Sequence, residues 1–297
     1  MSELLPTDLR AAQEAYLVGP NWTISGDLDS DICYVFFSGH GIYFPNTEEC
    51  FKQRIVVEDR FEWQALSRSL PGRHIFVRDV YKQWYIKGVS SEISDDHKLE
   101  EFLRESVRAH REIIFVGSSA GGYSALRFGL KLGVSRVFTF SGQFDLSLIC
   151  EDVCSRARNP LLFEAIERNP GWDGRSLVPG IASSNLPIYY FYPAFSEGDI
   201  AQSEAIDGVG CIWRYSIRSS NHGRPFAPSC FLRLLQMSVK ELEVIHSSMF
   251  GGRPVSPTRF AVRVLGFRKG LIEGLKHKLR TSSRLRRISL FRKRKDS

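Results

Sequence analysis

A short run of small residues, GSSAG at 117–121, joins an apolar stretch to a helical pattern and carries two hydroxyl groups. A serine on a sharp strand-to-helix turn can act as a nucleophile, and such a turn has room only for small neighbours. With Ser119 at the centre, the run fits the spacing G-x-S-x-G. With Ser118 at the centre, one neighbour would be Val116, whose branched side chain is too bulky for that contact. The spacing therefore predicts nucleophilic catalysis by Ser119.

Activation of a serine requires a base, and two of the seven histidines follow strand-like runs on loops. His222 comes after the last run, where its loop can reach the nucleophile, and it is the predicted base. His40 comes after the first run, in the motif FFSGHG, and is expected to shape the oxyanion loop. Backbone amides of Ala120, at the start of the helix, and of Gly41 or Ile42 are predicted to stabilise the oxyanion.

A carboxylate is needed to hold the tautomer of the base. The segment SEGD after the fifth strand-like run contains Asp199, which lies between the serine and His222 in chain order. Asp199 is favoured over Glu197 because its arm is shorter and a glycine precedes it, which suits a tight turn at a strand end. Two alternatives stay open: Asp199 could merely cap the following helix, and Asp145, after the fourth run, could supply the acid.

The motif RDVYKQWY follows the second strand-like run and is expected near the same edge of the sheet. Arg78 could hold an anion there, and Trp84 and Tyr85 could stack on a sugar or an acyl group. Together with His40, these residues are the predicted substrate contacts. The alternative is that the aromatic side chains pack this loop onto the body of the protein.

Six apolar runs are predicted to be strands, at residues 32–39, 73–79, 112–117, 135–142, 186–193 and 211–217. Because these runs are apolar throughout, both of their faces should be buried, and helical patterns lie between several of them. The sequence therefore predicts an α/β fold with a mostly parallel sheet and helices on both faces, and catalytic loops at the carboxyl ends of the strands. The irregular region 146–184 is expected to be an insertion, either a lid or a packing element.

The chain resembles an α/β-hydrolase over roughly residues 30–246. The resemblance is carried by FFSGHG, GSSAGG, SEGD and NHGRPF, which occur in the expected order at the ends of predicted strands. It implies a serine nucleophile and an acyl-enzyme. More narrowly, FVRDVYKQWYIKG together with GSSAGGYSALRFG is similar to a bacterial group of such hydrolases associated with surface-polysaccharide biosynthesis. The glycine-rich HGGG run of some lipases is missing, so the oxyanion hole depends on fewer glycines.

Charge divides the chain into two unequal parts. Residues 257–297 contain 14 Lys/Arg and two Asp/Glu, a local charge of +12, while the remaining 256 residues have a net charge of −5. We therefore predict a catalytic domain at 1–256 and a basic, amphipathic or disordered tail at 257–297. Leu271, Ile272, Leu275 and Leu279 recur at helical spacing among the basic residues, a pattern that favours an anionic membrane surface over nucleic acid.

The cysteine pattern and the N-terminal segment indicate where the protein is expected to act. Six scattered cysteines without CxxC spacing indicate a reducing cytosol, no disulfide framework and no zinc site. The polar N-terminal segment lacks the layout of a signal peptide. We expect a cytoplasmic protein that the tail could place at the inner face of a membrane, and no cofactor is predicted.

The sequence favours a serine hydrolase that acts on a carboxylic ester, such as an acylated glycan, through an acyl-enzyme. Three alternatives stay open. The same triad could transfer the acyl group to a glycan hydroxyl, since transfer and hydrolysis differ only in the second nucleophile. The chain could instead be a catalytically silent scaffold of this architecture in a membrane-associated glycan assembly, or a nucleic-acid-binding protein that acts through its tail.

Overall fold

The computed structural model describes residues 5–149, 157–168 and 174–293, with residues 281–293 as backbone only. One sheet contains all the strands of this part of the chain. They are β1 Trp22–Gly26, β2 Ile32–Phe37, β3 Arg73–Val77, β4 Glu112–Ser118, β5 Arg136–Phe140, β6 Ile188–Pro193 and β7 Ile212–Ile217.

Helices alternate with these strands along most of the chain. The α-helices are α1 Arg10–Val18, α2 Glu48–Phe51, α3 Gln64–Ser67, α4 Asp96–Val107, α5 Ala120–Leu132, α6 Pro160–Arg168, α7 Val178–Ala182, α8 Glu197–Glu204, α9 Pro228–Leu235, α10 Val239–Met249, α11 Pro257–Leu265 and α12 Phe267–Lys293. Short 3-10 turns occur at Pro6–Asp8, His40–Ile42 and Leu146–Ile149, and the segment Lys52–Val57 is π-helical.

The strand order in the sheet is β1-β3-β2-β4-β5-β6-β7. All neighbouring pairs are parallel except β1 and β3. The chain runs outward from β2 to β3 and then returns to place β4 on the other side of β2. A crevice opens where the strand order reverses in this way, outside the carboxyl ends of β2 and β4.

Both faces of the sheet are buried, as the apolar runs predict. Along β2, Cys33, Val35 and Phe37 enter the core that contains α4 and α5, and Tyr34 and Phe36 enter the core that contains α9, α10 and α11. Successive side chains of β2 thus point into opposite layers of the core, and both faces of the strand are apolar. The predicted class, an α/β-hydrolase-like sheet that is mostly parallel with helices on both faces, is confirmed.

Two elements differ from the sequence-based expectation. Strand β1 was not predicted, because this antiparallel edge strand is only half-buried and contains no continuous apolar run. The region 146–184 is more regular than expected in its described parts, where it forms α6 and α7. Leu162 of α6 and Ile181 of α7 lie in the same core as α5, so these helices pack on the domain.

The predicted boundary at 256/257 does not coincide with the edge of the core and needs correction. Phe260, Ala261 and Val264 of α11 are buried with the strands and helices on one face of the sheet. Helix α11 is therefore an integral part of the domain. The described part of the chain contains no helix with both the length and the apolar character that a membrane crossing requires.

Helix α12 packs closely against α11. A Cβ atom added to Gly270 would lie 2.3 Å from Val262 Cα, and one added to Gly274 would lie 2.6 Å from Thr258 Cα. The two glycines thus let the helix backbones approach each other. The last four residues, 294–297, and the side chains from residue 281 onward, which include seven of the 14 Lys/Arg that suggested a membrane contact, lie outside the described residues.

Candidate active site

Ser119 stands on a strained turn between β4 and α5. Its backbone has φ 52° and ψ −123°, a conformation that L-residues rarely adopt, and its amide donates to the carbonyl of Phe140 at 3.0 Å. A Cβ atom added to Gly117 would lie 2.1 Å from the carbonyl oxygen of Gly121, and one added to Gly121 would lie 2.4 Å from that of Phe37. The turn therefore requires glycine on both sides of the serine, which is the physical content of the G-x-S-x-G pattern.

The structure brings His222 and Asp199 together. Nδ1 of His222 lies 2.9 Å from Oδ2 of Asp199, although the two residues are 23 positions apart. The side chain of Asp199 is 1% exposed, whereas that of His222 is 49% exposed. A buried carboxylate on one ring nitrogen fixes the ring orientation and leaves the other nitrogen available toward solvent.

Asp199 lies in the first turn of α8 and not on the loop that the sequence predicted. It does not cap the helix, because the N-cap residue is Ser196 and no side chain caps that end. Glu197 is exposed. Asp145 accepts hydrogen bonds from the amide and the hydroxyl of Ser147. Of the three carboxylates considered, Asp199 is the one within hydrogen-bond distance of the imidazole.

The loop that carries His222 is tied to the end of β5 by a residue that the sequence did not single out. The Ser141 hydroxyl accepts from the amide of Gly223 at 2.9 Å and donates to the carbonyl of the same residue at 3.0 Å. Ser141 itself has a positive φ of 50° at the strand end. These two hydrogen bonds fix the backbone immediately after the histidine.

The predicted oxyanion donors differ in their availability. Ala120 is the first residue of α5, and the first amides of a helix have no acceptor within it. The amide of Ile42 donates to the carbonyl of Gly39 at 3.2 Å, and its side chain is buried. Gly41 is exposed and borders the large cleft at this edge. Of the two predicted partners of Ala120, the Ile42 amide already has an acceptor, and Gly41 is the one that borders the cleft.

His40 lies against the aromatic segment that follows β3. Its ring makes an edge contact with that of Trp84, with centroids 4.6 Å apart, and its Nε2 atom is buried without a hydrogen-bond partner among the described residues. Burial, together with electrostatic interactions with Lys82 and His222, lowers the pKa of His40 to about 3. The imidazole is therefore neutral at ordinary pH.

Arg78 does not present its charge to a substrate, contrary to the prediction. The side chain is buried, and its guanidinium donates to Asn21 at 3.1 Å, to Asp59 at 2.8 Å and to the carbonyl of Arg60 at 3.2 Å. It also lies 4.2 Å from the ring centroid of Phe61. Arg78 holds the segment 59–61 against the sheet.

Trp84 and Tyr85 are also buried, so the alternative interpretation of this motif is the correct one. Tyr85 donates its hydroxyl to the carbonyls of Ser38 and Val77, at 2.9 and 3.1 Å, and Trp84 donates its ring nitrogen to Gln143. Both residues have hydrogen-bond partners inside the protein. Neither leaves an aromatic face open for a substrate.

Glu62 is a site residue that the sequence analysis missed. Its carboxylate accepts from the hydroxyl of Ser118 at 2.8 Å and from the amide of Gly39 at 2.6 Å. Burial raises the pKa of Glu62, and these two hydrogen bonds and the nearby charges of Arg60 and Arg224 oppose that shift. Glu62 thus joins the residue preceding the nucleophile to the loop after β2, through partners 56 and 23 positions away.

A cleft of about 1080 Å³ opens at this edge of the sheet. It is bordered by His222, by Gly41 and by Ser118, the neighbour of Ser119. Glu62 and the segment around it form one wall. His277 and Arg280 of α12 form part of another wall, so the C-terminal helix contributes to the same cleft.

No protein-family model and no curated protein matches the sequence. Among solved structures, the chain is similar to the capsule O-acetyltransferase of Neisseria meningitidis serogroup A, at 12% identity and a TM-score of 0.49, over 76% of this chain and 90% of that one. It is also similar to an S-formylglutathione hydrolase from Agrobacterium tumefaciens, at 12% identity and a TM-score of 0.42, over 66% and 79% of the two chains. A third similar structure is that of a carboxylesterase from Nitrososphaera gargenis, at 12% identity and a TM-score of 0.44, over 76% of this chain and 92% of that one.

The fold itself is of the α/β-hydrolase type, by the strand order and by the turn between β4 and α5. At such low identities and TM-scores, nothing about the activity of this chain follows from its neighbours. The activity has to be argued from the residues at the cleft.

Proposed function

We propose that the chain is a serine hydrolase that cleaves a carboxylic ester, such as an acylated glycan, through an acyl-enzyme. The proposal rests above all on the contact between the buried carboxylate of Asp199 and the half-exposed imidazole of His222, at 2.9 Å. Ser119, on its strained turn, supplies the nucleophile at the same edge of the sheet. The chain order serine, acid, histidine agrees with this assignment.

In the first half of the reaction, the Ser119 oxygen attacks the ester carbonyl carbon while its proton passes to Nε2 of His222. Asp199, which accepts from Nδ1–H, stabilises the imidazolium that forms. The amides of Ala120 and Gly41 donate to the oxyanion of the tetrahedral intermediate. When the intermediate collapses, the bond from the carbonyl carbon to the alcohol oxygen breaks, and the alcohol leaves with the proton from His222.

In the second half, water attacks the acyl-enzyme while His222 accepts one of its protons. The bond from carbon to the Ser119 oxygen breaks, the serine regains a proton from His222, and the carboxylic acid departs. A glycan hydroxyl in place of water would give a new ester and no free acid. Product analysis with and without a glycan acceptor therefore separates hydrolysis from transfer.

A fluorophosphonate probe tests the nucleophile directly. We expect the wild-type protein to be labelled, Ser119→Ala to remain unlabelled, and Ser118→Ala to be labelled at the adjacent Ser119. Thermal unfolding of each variant controls for folding. Labelling of folded Ser119→Ala to the wild-type extent would contradict the assignment, and a folded wild type that resists the probe would indicate a catalytically silent scaffold.

For the C-terminal helix, we propose contact with an anionic membrane surface. The side of α12 that does not face α11 carries exposed apolar residues, namely Phe267, Leu271, Ile272, Leu275 and Leu279. Exposed lysines at 269, 276 and 278 are interleaved with them. Basic groups that flank an apolar stripe complement anionic headgroups above an acyl region, and each contributes about 1 kcal/mol near such a surface.

Vesicle flotation tests the membrane contact. Removal of residues 257–297 would also delete Phe260 from the core, so a point substitution is the sharper variant. We expect binding to phosphatidylglycerol vesicles to fall in Leu279→Glu, where the side chain is 72% exposed, and to persist in Leu28→Glu, where it is 62% exposed. Equal binding to phosphatidylcholine vesicles, or no binding of the wild type, would refute the contact.

A further inference from the structure

The cleft beside the proposed triad carries an excess of positive charge. Its lining includes four arginines and two carboxylates; the arginines are Arg60, Arg68, Arg224 and Arg280. The two carboxylates are already engaged. Glu58 forms an ion pair with Arg54 at 2.8 Å, and Glu62 accepts from Ser118 and Gly39. In the described part of the chain, neither carboxylate forms an ion pair, within 4.0 Å, with any of these four arginines.

Arg224 is the member of this group placed nearest to the proposed base along the chain, two residues after His222. Its Nε donates to the carbonyl of Phe226 at 3.4 Å, and no carboxylate among the described residues lies within ion-pair distance of its guanidinium. The side chain is only partly exposed, and burial lowers the pKa of Arg224, although the charge of Glu62 opposes this. A partly desolvated cation that lacks a direct ion pair is costly, and an incoming anion offsets that cost.

We infer that the ester substrate carries an anionic oxoacid group, a phosphate or a carboxylate, which Arg224 binds in the cleft while the ester carbonyl lies at Ser119. This inference rests on the proposed function and specifies its substrate class. The planar guanidinium can bind such a group through two parallel hydrogen bonds. A charge-assisted contact of this kind raises kcat/KM about tenfold or more over an equivalent neutral ester.

Matched aryl acetates provide the test. The substrates are 3-acetoxybenzoate, 3-acetoxyphenyl phosphate and the neutral methyl 3-acetoxybenzoate, and release of the phenol is measured for each. Each kcat/KM is divided by the rate constant for hydrolysis by hydroxide, because the three leaving groups differ in reactivity. The ratio of the anionic to the neutral value is the preference, and the two anionic arms distinguish phosphate from carboxylate.

We expect the wild type to prefer at least one anionic ester by about tenfold or more, and Arg224→Gln to lose most of this preference. Arg224→Lys should retain a larger part of it, because the charge remains. Arg108→Gln is the matched control: it removes one positive charge from an exposed residue that pairs with Glu105 and does not line the cleft, and it should leave the ratio unchanged.

Two results would overturn the inference while leaving the proposed function intact. One is a wild type that hydrolyses the neutral ester as fast as both anionic esters. The other is an anionic preference that survives in folded Arg224→Gln. If that variant does not fold, the wild-type comparison and Arg224→Lys decide the question. A wild type that neither hydrolyses any of the esters nor reacts with a fluorophosphonate overturns the proposed function, and this inference fails with it.

Discussion

Of the segments that have residues with positive φ after parallel strands, two differ clearly in how they use them. Ser119, after β4, has φ 52°, while Lys82, Trp84 and Tyr85, after β3, have φ values of 54°, 53° and 61°. We call the first segment, residues 117–121, the elbow, and the second, residues 78–86, the aromatic loop. The elbow leaves Ser119 partly exposed, whereas the aromatic loop buries all three of its residues with positive φ.

The two segments are also stabilised by different means. In the aromatic loop, the buried carboxylate of Asp79 accepts hydrogen bonds from the amides of Tyr81, Gln83 and Tyr85, at 3.0, 2.6 and 2.9 Å. No carboxylate of the described residues accepts a hydrogen bond from a backbone amide of the elbow. The shape is instead set by close backbone approach at the two glycines and by the helix that begins immediately after Ser119.

Backbone strain at a strand end is therefore not by itself a mark of a reactive group. In the aromatic loop the strain allows a side chain to be hydrogen-bonded inside the protein. In the elbow, Ser119 stays partly exposed. A more useful criterion is whether the side chain is buried and hydrogen-bonded inside the protein, as those of Trp84 and Tyr85 are, or partly exposed, as Ser119 is.

The largest expected effect concerns the chemistry beside the elbow. Asp199→Asn should lower kcat for ester hydrolysis about 10³- to 10⁴-fold, because an amide in place of the carboxylate cannot hold the required tautomer of His222. Steady-state kinetics measures the loss. Asp145→Asn, whose carboxylate contacts Ser147, should retain most of the activity, and the reverse ranking would assign the acid to Asp145.

The next effect concerns the shape of the elbow. Gly121→Ala should lower the free energy of unfolding by about 3 kcal/mol, because the new methyl group would lie 2.4 Å from a backbone oxygen that cannot move aside. Urea denaturation provides the measurement. Gly198→Ala is the control, since an added Cβ there meets nothing within 4 Å, and its stability should equal or exceed that of the wild type.

The corresponding change in the aromatic loop is Asp79→Asn. We expect the free energy of unfolding to fall by about 2–3 kcal/mol, because the amide group offers fewer acceptors to the buried N–H groups of Tyr81, Gln83 and Tyr85. Urea denaturation again gives the value. Unchanged stability would mean that the three positive φ values of the loop do not depend on this carboxylate.

A smaller change sharpens the contrast between the two segments. Tyr85→Phe removes a hydroxyl that donates to two buried carbonyls, and it should cost about 1 kcal/mol of unfolding free energy. Because this hydroxyl is bonded to backbone carbonyls and Tyr85 does not line the cleft, fluorophosphonate labelling of Ser119 should persist. Loss of labelling in a folded Tyr85→Phe variant would instead support the prediction that Tyr85 contacts the substrate.

The smallest expected effect is a dependence on pH at Glu62, whose carboxylate accepts from Ser118 of the elbow. Because burial raises its pKa, the folded protein holds this proton more tightly than the unfolded chain does. Its contribution to stability is therefore full below the ordinary pKa and falls as pH rises through the raised value. The unfolding free energy of the wild type minus that of Glu62→Gln should decrease between about pH 4 and pH 8. A difference that is constant or that increases would refute this.

The sheet could be predicted from the sequence wherever burial is two-sided. Burial on both faces favours apolar residues at nearly every position, so β2, β3, β4, β5 and β6 were predicted as continuous runs. The antiparallel strand β1 escaped because an edge strand needs only one buried face, and the run WTISG ends in a serine and a glycine. The predicted end of the domain at residue 256 follows the change in charge along the chain, whereas the buried core extends into α11.

The candidate site likewise has a part that the sequence predicts and a part that it does not. The elbow was predictable because its steric limits restrict neighbouring positions in the sequence. The prediction for Arg78 was wrong because its partners Asn21 and Asp59 lie 57 and 19 positions away. The sequence around an arginine after a strand does not show whether the arginine binds a substrate or a neighbouring segment of the protein. Glu62 was missed for the same reason, since only the folded chain brings it to Ser118.

The glycine pair of α12 has a consequence for how substrate selection could diverge in related chains. Gly270 and Gly274 hold the helix against α11, and the next turn of the same helix brings His277 and Arg280 to the cleft. A relative that keeps the elbow but carries a larger residue at either glycine would have this helix displaced. It would retain the proposed nucleophile beside a wider cleft, and under the proposed function we expect it to accept bulkier esters.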